Sequence, residues 1–201
     1  MGDSTVASYP SSRAPLAGWG QALATQLANR AEVINFAQPG NSTRRFAAEH
    51  WEKVRSKIAA GDTLLIQFGH VDAASDPSRQ TAPDGLYRTL LTQFVVETQA
   101  AGARPILVTP IAQCLFKNGM PSDSLDRYRA VMRQVARATG VYLLDLGAVS
   151  ASHLIQAGEN NARLWYMAAH DGVDNIHLNN AGAAIFAKWV LADPVFAEIV
   201  R

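Results

Sequence analysis

Gly61-Asp62-Thr63-Leu64-Leu65-Ile66-Gln67-Phe68-Gly69-His70-Val71-Asp72 is the stretch on which the fold turns. Thr63–Phe68 is a short, almost continuous apolar run, opened by a Gly-Asp turn and closed by Gly69. An antiparallel strand with one wet face would alternate, so this run reads as a parallel strand covered on both faces. Arg104–Thr109, broken by Pro110, and Val141–Leu146, after Gly140, read the same way. Glu32–Ala37 is short, carries β-branched residues and ends at Pro39-Gly40, so a strand is expected there too.

Between these runs the period changes to that of helices. Ala14–Arg30 places Trp19, Leu23 and Leu27 on one face. Ser42 or Thr43 can cap a helix running to about Ala60, with Phe46, Trp51, Val54 and Ile58 as its stripe. Leu86–Ala101, Leu125–Thr139 and Ala181–Leu191 are expected helices, and Val149–Ala157 and Asn161–Met167 shorter ones. Asp72–Gly85 and Gln113–Ser124 read as long loops. Strands alternating with helices at this spacing predict an α/β protein, a three-layer α/β/α sandwich on a parallel sheet, in one domain over residues 1–201. Ligands of such sheets bind beyond the carboxyl ends of the strands. Gly40, the Gly69 block and the loop after Val141–Leu146 all follow expected strand ends.

Composition removes several function classes. Lys and Arg number 18 against 17 Asp and Glu, which offers no electrostatic case for nucleic acid or an anionic membrane. No apolar segment is long enough to span a bilayer. Cys114 is the single cysteine, so no intrachain disulfide is possible; beside Leu115 and Phe116 it reads as a small apolar filler. No His/Cys/Asp cluster has metal-ligand spacing and no glycine-rich phosphate loop occurs, so neither a metal nor another cofactor is expected.

The chemistry lies at the two ends of the chain. In Asp174-Asn175-Ile176-His177 a carboxylate and an imidazole three residues apart can share one turn, which suits an Asp orienting a His that acts as general base. Gly2-Asp3-Ser4-Thr5 offers a hydroxyl on a tight turn as the nucleophile. Each motif alone also fits a plainer role, His177 capping a helix and Ser4 serving as an N-cap. Of the other histidines, His50 and His153 read as surface or packing residues. His70 and His170 are candidate substrate contacts, with a structural role the alternative for His70. Asp72 reads as a carboxylate that stabilises its loop.

Gly2-Asp3-Ser4, then Gly40, then Gly69-His70-Val71-Asp72, then Asp174-Asn175-Ile176-His177 follow in the block order of the SGNH, or GDSL-type, hydrolases, which the chain resembles over nearly its whole length. Gly2-Asp3-Ser4-Thr5, Gly18-Trp19-Gly20, Gln67-Phe68-Gly69-His70, Val108-Thr109-Pro110 and His177-Leu178-Asn179 resemble the rhamnogalacturonan acetylesterase-like carbohydrate esterases in particular. The resemblance implies a flavodoxin-like SGNH hydrolase fold and acyl transfer from a carbohydrate ester, with catalytic residues Ser4, Asp174 and His177. The oxyanion donors it implies are the backbone N–H groups of Ser4 and Gly40. The family's third donor is an Asn side chain, and Val71 stands in its place. Two other functions fit: a carbohydrate-binding pseudoenzyme, for which Val71 is the support, and an SGNH lipase or thioesterase, disfavoured by loops without a long apolar stretch. In this family the GDS serine follows a buried strand, whereas only Met1 precedes Gly2. The first strand is therefore expected to be missing from the sequence, its slot open or filled by another segment. Related esterases are mostly exported; no leader stands before Met1.

Overall fold

A computed structural model describes residues 1–199. The helices are α1 (Trp19–Leu27), α2 (Thr43–Glu49), α3 (Trp51–Arg55), α4 (Arg88–Ala100), α5 (Asp126–Thr139), α6 (Leu146–Ala162), α7 (Ala168–Asp171), α8 (Asn180–Leu191) and α9 (Pro194–Ile199). The strands are β1 (Thr63–Ile66), β2 (Arg104–Val108), β3 (Phe116–Lys117), β4 (Met120–Pro121) and β5 (Tyr142–Leu144). The chain divides into two compact units. One holds Met1–Asp3, Gly40–Pro110 and Ser124–Asp145; the other holds Ser4–Pro39, Ile111–Asp123 and the chain from Leu146 on.

The second unit is built on α1 against α8. Trp19, Leu23 and Leu27, the stripe read from the sequence, are buried, as are Ala183, Phe186, Ala187 and Val190 of α8. Burying each large apolar side chain contributes about 1.5–3 kcal/mol. Asn179, not His177, caps α8, its side chain accepting from the Gly182 amide (3.0 Å). His153 stacks on Trp189 with ring centroids 4.2 Å apart, which makes it a packing residue.

Two expectations fail in this unit. Glu32–Ala37 forms no strand. A β-branched run becomes a strand only where a ladder accepts it; here Ile34 is exposed, and Asn35 turns its amide onto the Val6 carbonyl (2.8 Å) instead. Gln113–Ser124 is not all loop, because β3 and β4 pair as a hairpin through Asn118 (φ 52°) and Gly119 (φ 76°). Asn-Gly is a residue pair that tolerates positive φ at both positions, and it sets the two-residue turn here. The two short helices expected over 149–167 are met in outline: α6 is two helical stretches joined at Gly158, whose φ 73° and ψ 159° no helix can accommodate, and a 3-10 turn over Arg163–Trp165 follows it.

The first unit carries the parallel sheet, in the order β1-β2-β5. Thr63 to Ile66 pair with Arg104 to Leu107, and Ile106 to Val108 with Tyr142 to Leu144. The α/β reading with a parallel sheet therefore holds, with α4 packed on β2 and α5 on β5. Ile66, Phe68, Ile106, Leu107 and Val108 are wholly buried, as both-face coverage requires. Phe46, Phe68 and Phe94 pack ring on ring at 5.1–6.4 Å. The helix expected over 42–60 is broken at His50 (φ −133°, ψ −23°), and the break lets both Phe46 and Trp51 reach Phe94. Gly140, at φ 70°, ends α5 as expected.

Beside β1 lie Met1 and Gly2. The Met1 nitrogen donates to the Leu65 carbonyl (2.7 Å), the Gln67 amide donates to the Met1 carbonyl (3.1 Å), and Gly2 pairs with Gln67 in parallel. Those two residues are what the described chain places in the slot of the strand expected before the serine.

Asp72 has the loop-stabilising role expected of it. It is fully buried, and its Oδ1 accepts from the Thr43 amide (3.0 Å) and hydroxyl (2.6 Å). Its carbonyl accepts from the Tyr128 hydroxyl (2.8 Å) and the Thr81 amide (3.0 Å). One residue thus ties the start of α2 to the segment after β1 and to α5. Burial pushes the Asp72 carboxyl up to about 7; the Thr43 bonds act against this and the Asp3 charge adds to it. An unfolded Asp releases its proton near 3.8. The folded state keeps the proton longer, so this group's stabilising contribution is full below that pH and is lost as pH rises to about 7. The melting temperature of the parent, measured against that of Asp72→Asn, should fall between pH 4 and pH 7 and level off above; a difference constant with pH would refute this.

Candidate active site

Ser4 follows Gly2 and Asp3 into a turn over Ser4–Val6 that belongs to no helix, so it is not an N-cap. The turn is held by the start of α1. The Trp19 amide donates to the Thr5 carbonyl (2.9 Å) and the Gly18 amide to the Ala7 carbonyl (3.1 Å). A Cβ on Gly18 would collide with the Ala7 carbonyl, and one on Gly20 with the Val6 carbonyl. The two glycines of Gly18-Trp19-Gly20 are therefore required by a close backbone approach.

Asp174 and His177 sit in the loop between α7 and α8. Asp174 divides its oxygens: Oδ1 accepts from the Ile176 and His177 amides (both 3.0 Å), and Oδ2 lies 2.8 Å from His177 Nδ1. His177 Nε2 lies 2.9 Å from Ser4 Oγ. With Nδ1–H donated to the carboxylate, Nε2 is left as the acceptor for the serine proton. The three sequence-predicted residues thus form one relay inside the second unit. Ser4 is 7% exposed, while the side chains of His177 and Asp174 are 32% and 28% exposed, so a small carbonyl compound can approach.

The loop is tied down by its backbone. The Met167 amide donates to the His177 carbonyl, the Ala168 amide to the Asp174 carbonyl and the Cys114 amide to the Asn175 carbonyl, each at 2.8 Å. The Ala17 amide donates to the Leu178 carbonyl (3.1 Å), and Tyr166 pairs with Leu178. Asp171 accepts from the Val173 and Asp174 amides (both 2.9 Å), which holds its carboxyl below the usual range. Tyr166, fully buried, donates its hydroxyl to the Ala112 carbonyl (2.7 Å). Neither Tyr166 nor Asp171 carries a motif signal, since each acts through backbone groups distant in, or invisible to, the sequence.

The remaining candidates fare differently. The His70 side chain is 3% exposed and set against Asp3, Nδ1 to Oδ2 at 3.2 Å, the geometry of its alternative, structural role. His170 is exposed on α7 beside Asp171. Gly40 takes φ 75°, a conformation that alone favours glycine there. Val71, like His70 and Gly40 part of the first unit, is 5% exposed. Burial pushes the Cys114 thiol up to about 11, which agrees with its reading as a filler. No helix among the described residues is long and apolar enough to cross a membrane.

The GDSL-like lipase/acylhydrolase family model matches residues 1–185. The chain is 34% identical over 191 residues to the probable rhamnogalacturonan acetylesterase YesY of Bacillus subtilis, covering 94% of this chain and 88% of that protein. It is 34% identical over 200 residues to the rhamnogalacturonan acetylesterase RhgT of the same organism, covering 94% and 85%. Among solved structures, protein YXIM of Bacillus subtilis matches with a TM-score of 0.85 at 28% identity over 98% of this chain and 55% of that one; the chain spans about half the length of that protein. A catalytic mutant of Axe2, an acetylxylan esterase from Geobacillus stearothermophilus, matches with a TM-score of 0.72 at 22% identity over 100% and 94%, a likeness of fold.

The α1 contact makes a prediction about stability. Gly18→Ala must displace the Ser4–Ala7 backbone or the start of α1, and overpacking of this kind costs about 1–3 kcal/mol or more. Urea denaturation should show a loss of at least that size; a variant as stable as the parent would mean that the close approach is not required.

Proposed function

Since the chain belongs to the GDSL-like lipase/acylhydrolase family, we propose that it is a serine esterase that removes acetyl groups from a plant cell-wall polysaccharide or oligosaccharide of the rhamnogalacturonan class. The relay Ser4–His177–Asp174, at 2.9 and 2.8 Å, carries the reaction type. The names of the two 34% identical relatives support the substrate class.

His177 Nε2 takes the proton of Ser4 Oγ as the oxygen attacks the acetyl carbonyl, and Asp174 stabilises the imidazolium that forms. Collapse of the tetrahedral intermediate breaks the bond to the sugar oxygen, which takes the proton from the His177 imidazolium and leaves as the free hydroxyl, with an acetyl-Ser4 ester left behind. Water, deprotonated by the same nitrogen, attacks this ester; as the bond to Ser4 Oγ breaks, His177 returns the proton to that oxygen, and acetic acid leaves and ionises to acetate. The family resemblance assigns the oxyanion to the N–H groups of Ser4 and Gly40. Val71 supplies no third donor, and loss of one such donor typically costs about 10²–10³ in turnover. The triad with two donors remains an enzyme, and a slow one.

A carbohydrate-binding pseudoenzyme is the second reading, favoured by Val71 alone. Acetate release from acetylated rhamnogalacturonan and from acetylated xylan separates the two and also ranks the substrates. Hydrolysis of the first, faster than of the second, is the expected result. No release from either, with binding retained, supports the pseudoenzyme.

A serine-directed phosphonate should label Ser4 and no other residue, and Ser4→Ala should abolish hydrolysis of p-nitrophenyl acetate; parental activity in that variant refutes the assignment. Val71→Asn should raise kcat about 10²-fold with KM little changed, because the added bond strengthens only as charge develops. At 5% exposure the new amide also needs partners, so a structural valine would instead give lower stability and no gain. A rise below about threefold would reject the oxyanion reading of position 71.

A further inference from the structure

We propose that Tyr9 is a positioning residue for the nucleophile, holding the peptide of Ser4 through its hydroxyl while Gln21 holds Tyr9. The turn from Ser4 to Ala7 has no ladder to fix it, and its carbonyls are met one by one. Trp19 donates to the Thr5 carbonyl and Gly18 to the Ala7 carbonyl. Asn35 donates to the Val6 carbonyl (2.8 Å). The Ser4 carbonyl, on the nucleophile itself, accepts from the Tyr9 hydroxyl at 2.8 Å. Tyr9 is in turn gripped at its backbone by a side chain of α1: its amide donates to Gln21 Oε1 (2.9 Å), and Gln21 Nε2 reaches its carbonyl (3.5 Å). Every member of this chain of contacts lies in the second unit, with the relay.

The direction in which Ser4 Oγ points depends on the backbone torsions on either side of its Cα. The Tyr9 bond fixes the plane of the peptide after Ser4, so it bears on the 2.9 Å distance from Oγ to His177 Nε2. Tyr9 is half-buried, so without its hydroxyl the Ser4 carbonyl can turn toward water. A misplacement of about 1 Å can cost 10²-fold in rate. This role rests on Ser4 being the nucleophile.

Tyr9→Phe keeps the ring and removes the bond. The expected result is a fall in kcat of about tenfold or more, with KM within about twofold of the parent, and an equal fall in the rate at which a small phosphonate labels Ser4. Gln21→Ala should shift both rates in the same direction, and the double variant should lose less than the sum of the two, since both act through one contact. Should Tyr9→Phe fold poorly, Gln21→Ala carries the same measurement. Parental kcat and labelling rate in Tyr9→Phe overturn the inference, as does a raised KM with kcat unchanged, which would make Tyr9 a substrate contact. If the parent enzyme is not labelled at Ser4, or Ser4→Ala keeps its activity, the nucleophile reading itself fails, a result distinguishable from failure of the Tyr9 role.

Discussion

The contact of the α1 N-terminus with the Ser4–Ala7 backbone is the constraint on which the site depends. It is a backbone-to-backbone approach that no side chain at 18 or 20 could permit. It leaves Trp19 and Gly18 donating to two turn carbonyls and Gln21 within reach of Tyr9. The same helix buries Trp19, Leu23 and Leu27, so the Ser4 turn is held by an element that the core holds. A serine on an unsupported turn would sample many orientations; this one is fixed by at least four hydrogen bonds drawn from elements as far along the chain as Asn35.

The opposite partner is fixed by a different device. Asp174 uses one oxygen on two backbone amides and the other on the His177 ring, so the loop conformation and the orientation of the base have a common cause. Asp171 repeats the device one turn earlier, and backbone bonds from Met167, Ala168 and Cys114 close the loop from outside. An imidazole so held is fixed in orientation by the same carboxylate that fixes its loop. In the first unit Asp72 plays a comparable part for the start of α2, at the cost of a carboxyl whose proton affinity is raised by burial.

Much of this was legible in the residues. The nearly continuous apolar runs within 63–68 and 104–109 form parallel strands because coverage on both faces leaves no reason to alternate. The Asp-x-x-His and Gly-Asp-Ser blocks are local motifs, and local spacing suffices to mark both halves of a relay. The misreadings share a cause. Glu32–Ala37 has strand composition, yet a strand needs a partner, and partners are not a property of the run. The break at His50 answers to Phe94, forty-four residues on, to which Phe46 and Trp51 must both pack. The Asn118-Gly119 hairpin is the exception, since its turn is marked locally by the residue pair itself.

The sequence by itself determined the α/β class and marked Ser4, Asp174 and His177 as candidates for one relay, because each is written in local pattern or residue type. Only the tertiary structure decided that Ser4 and His177, 173 residues apart, meet at 2.9 Å, that His70 is turned onto Asp3, and that Tyr9 donates to the Ser4 carbonyl. Those outcomes depend on which backbone groups packing brings within about 3 Å of one another. A backbone carbonyl is the same at every position of a sequence, so nothing in the residue names marks the one to be held.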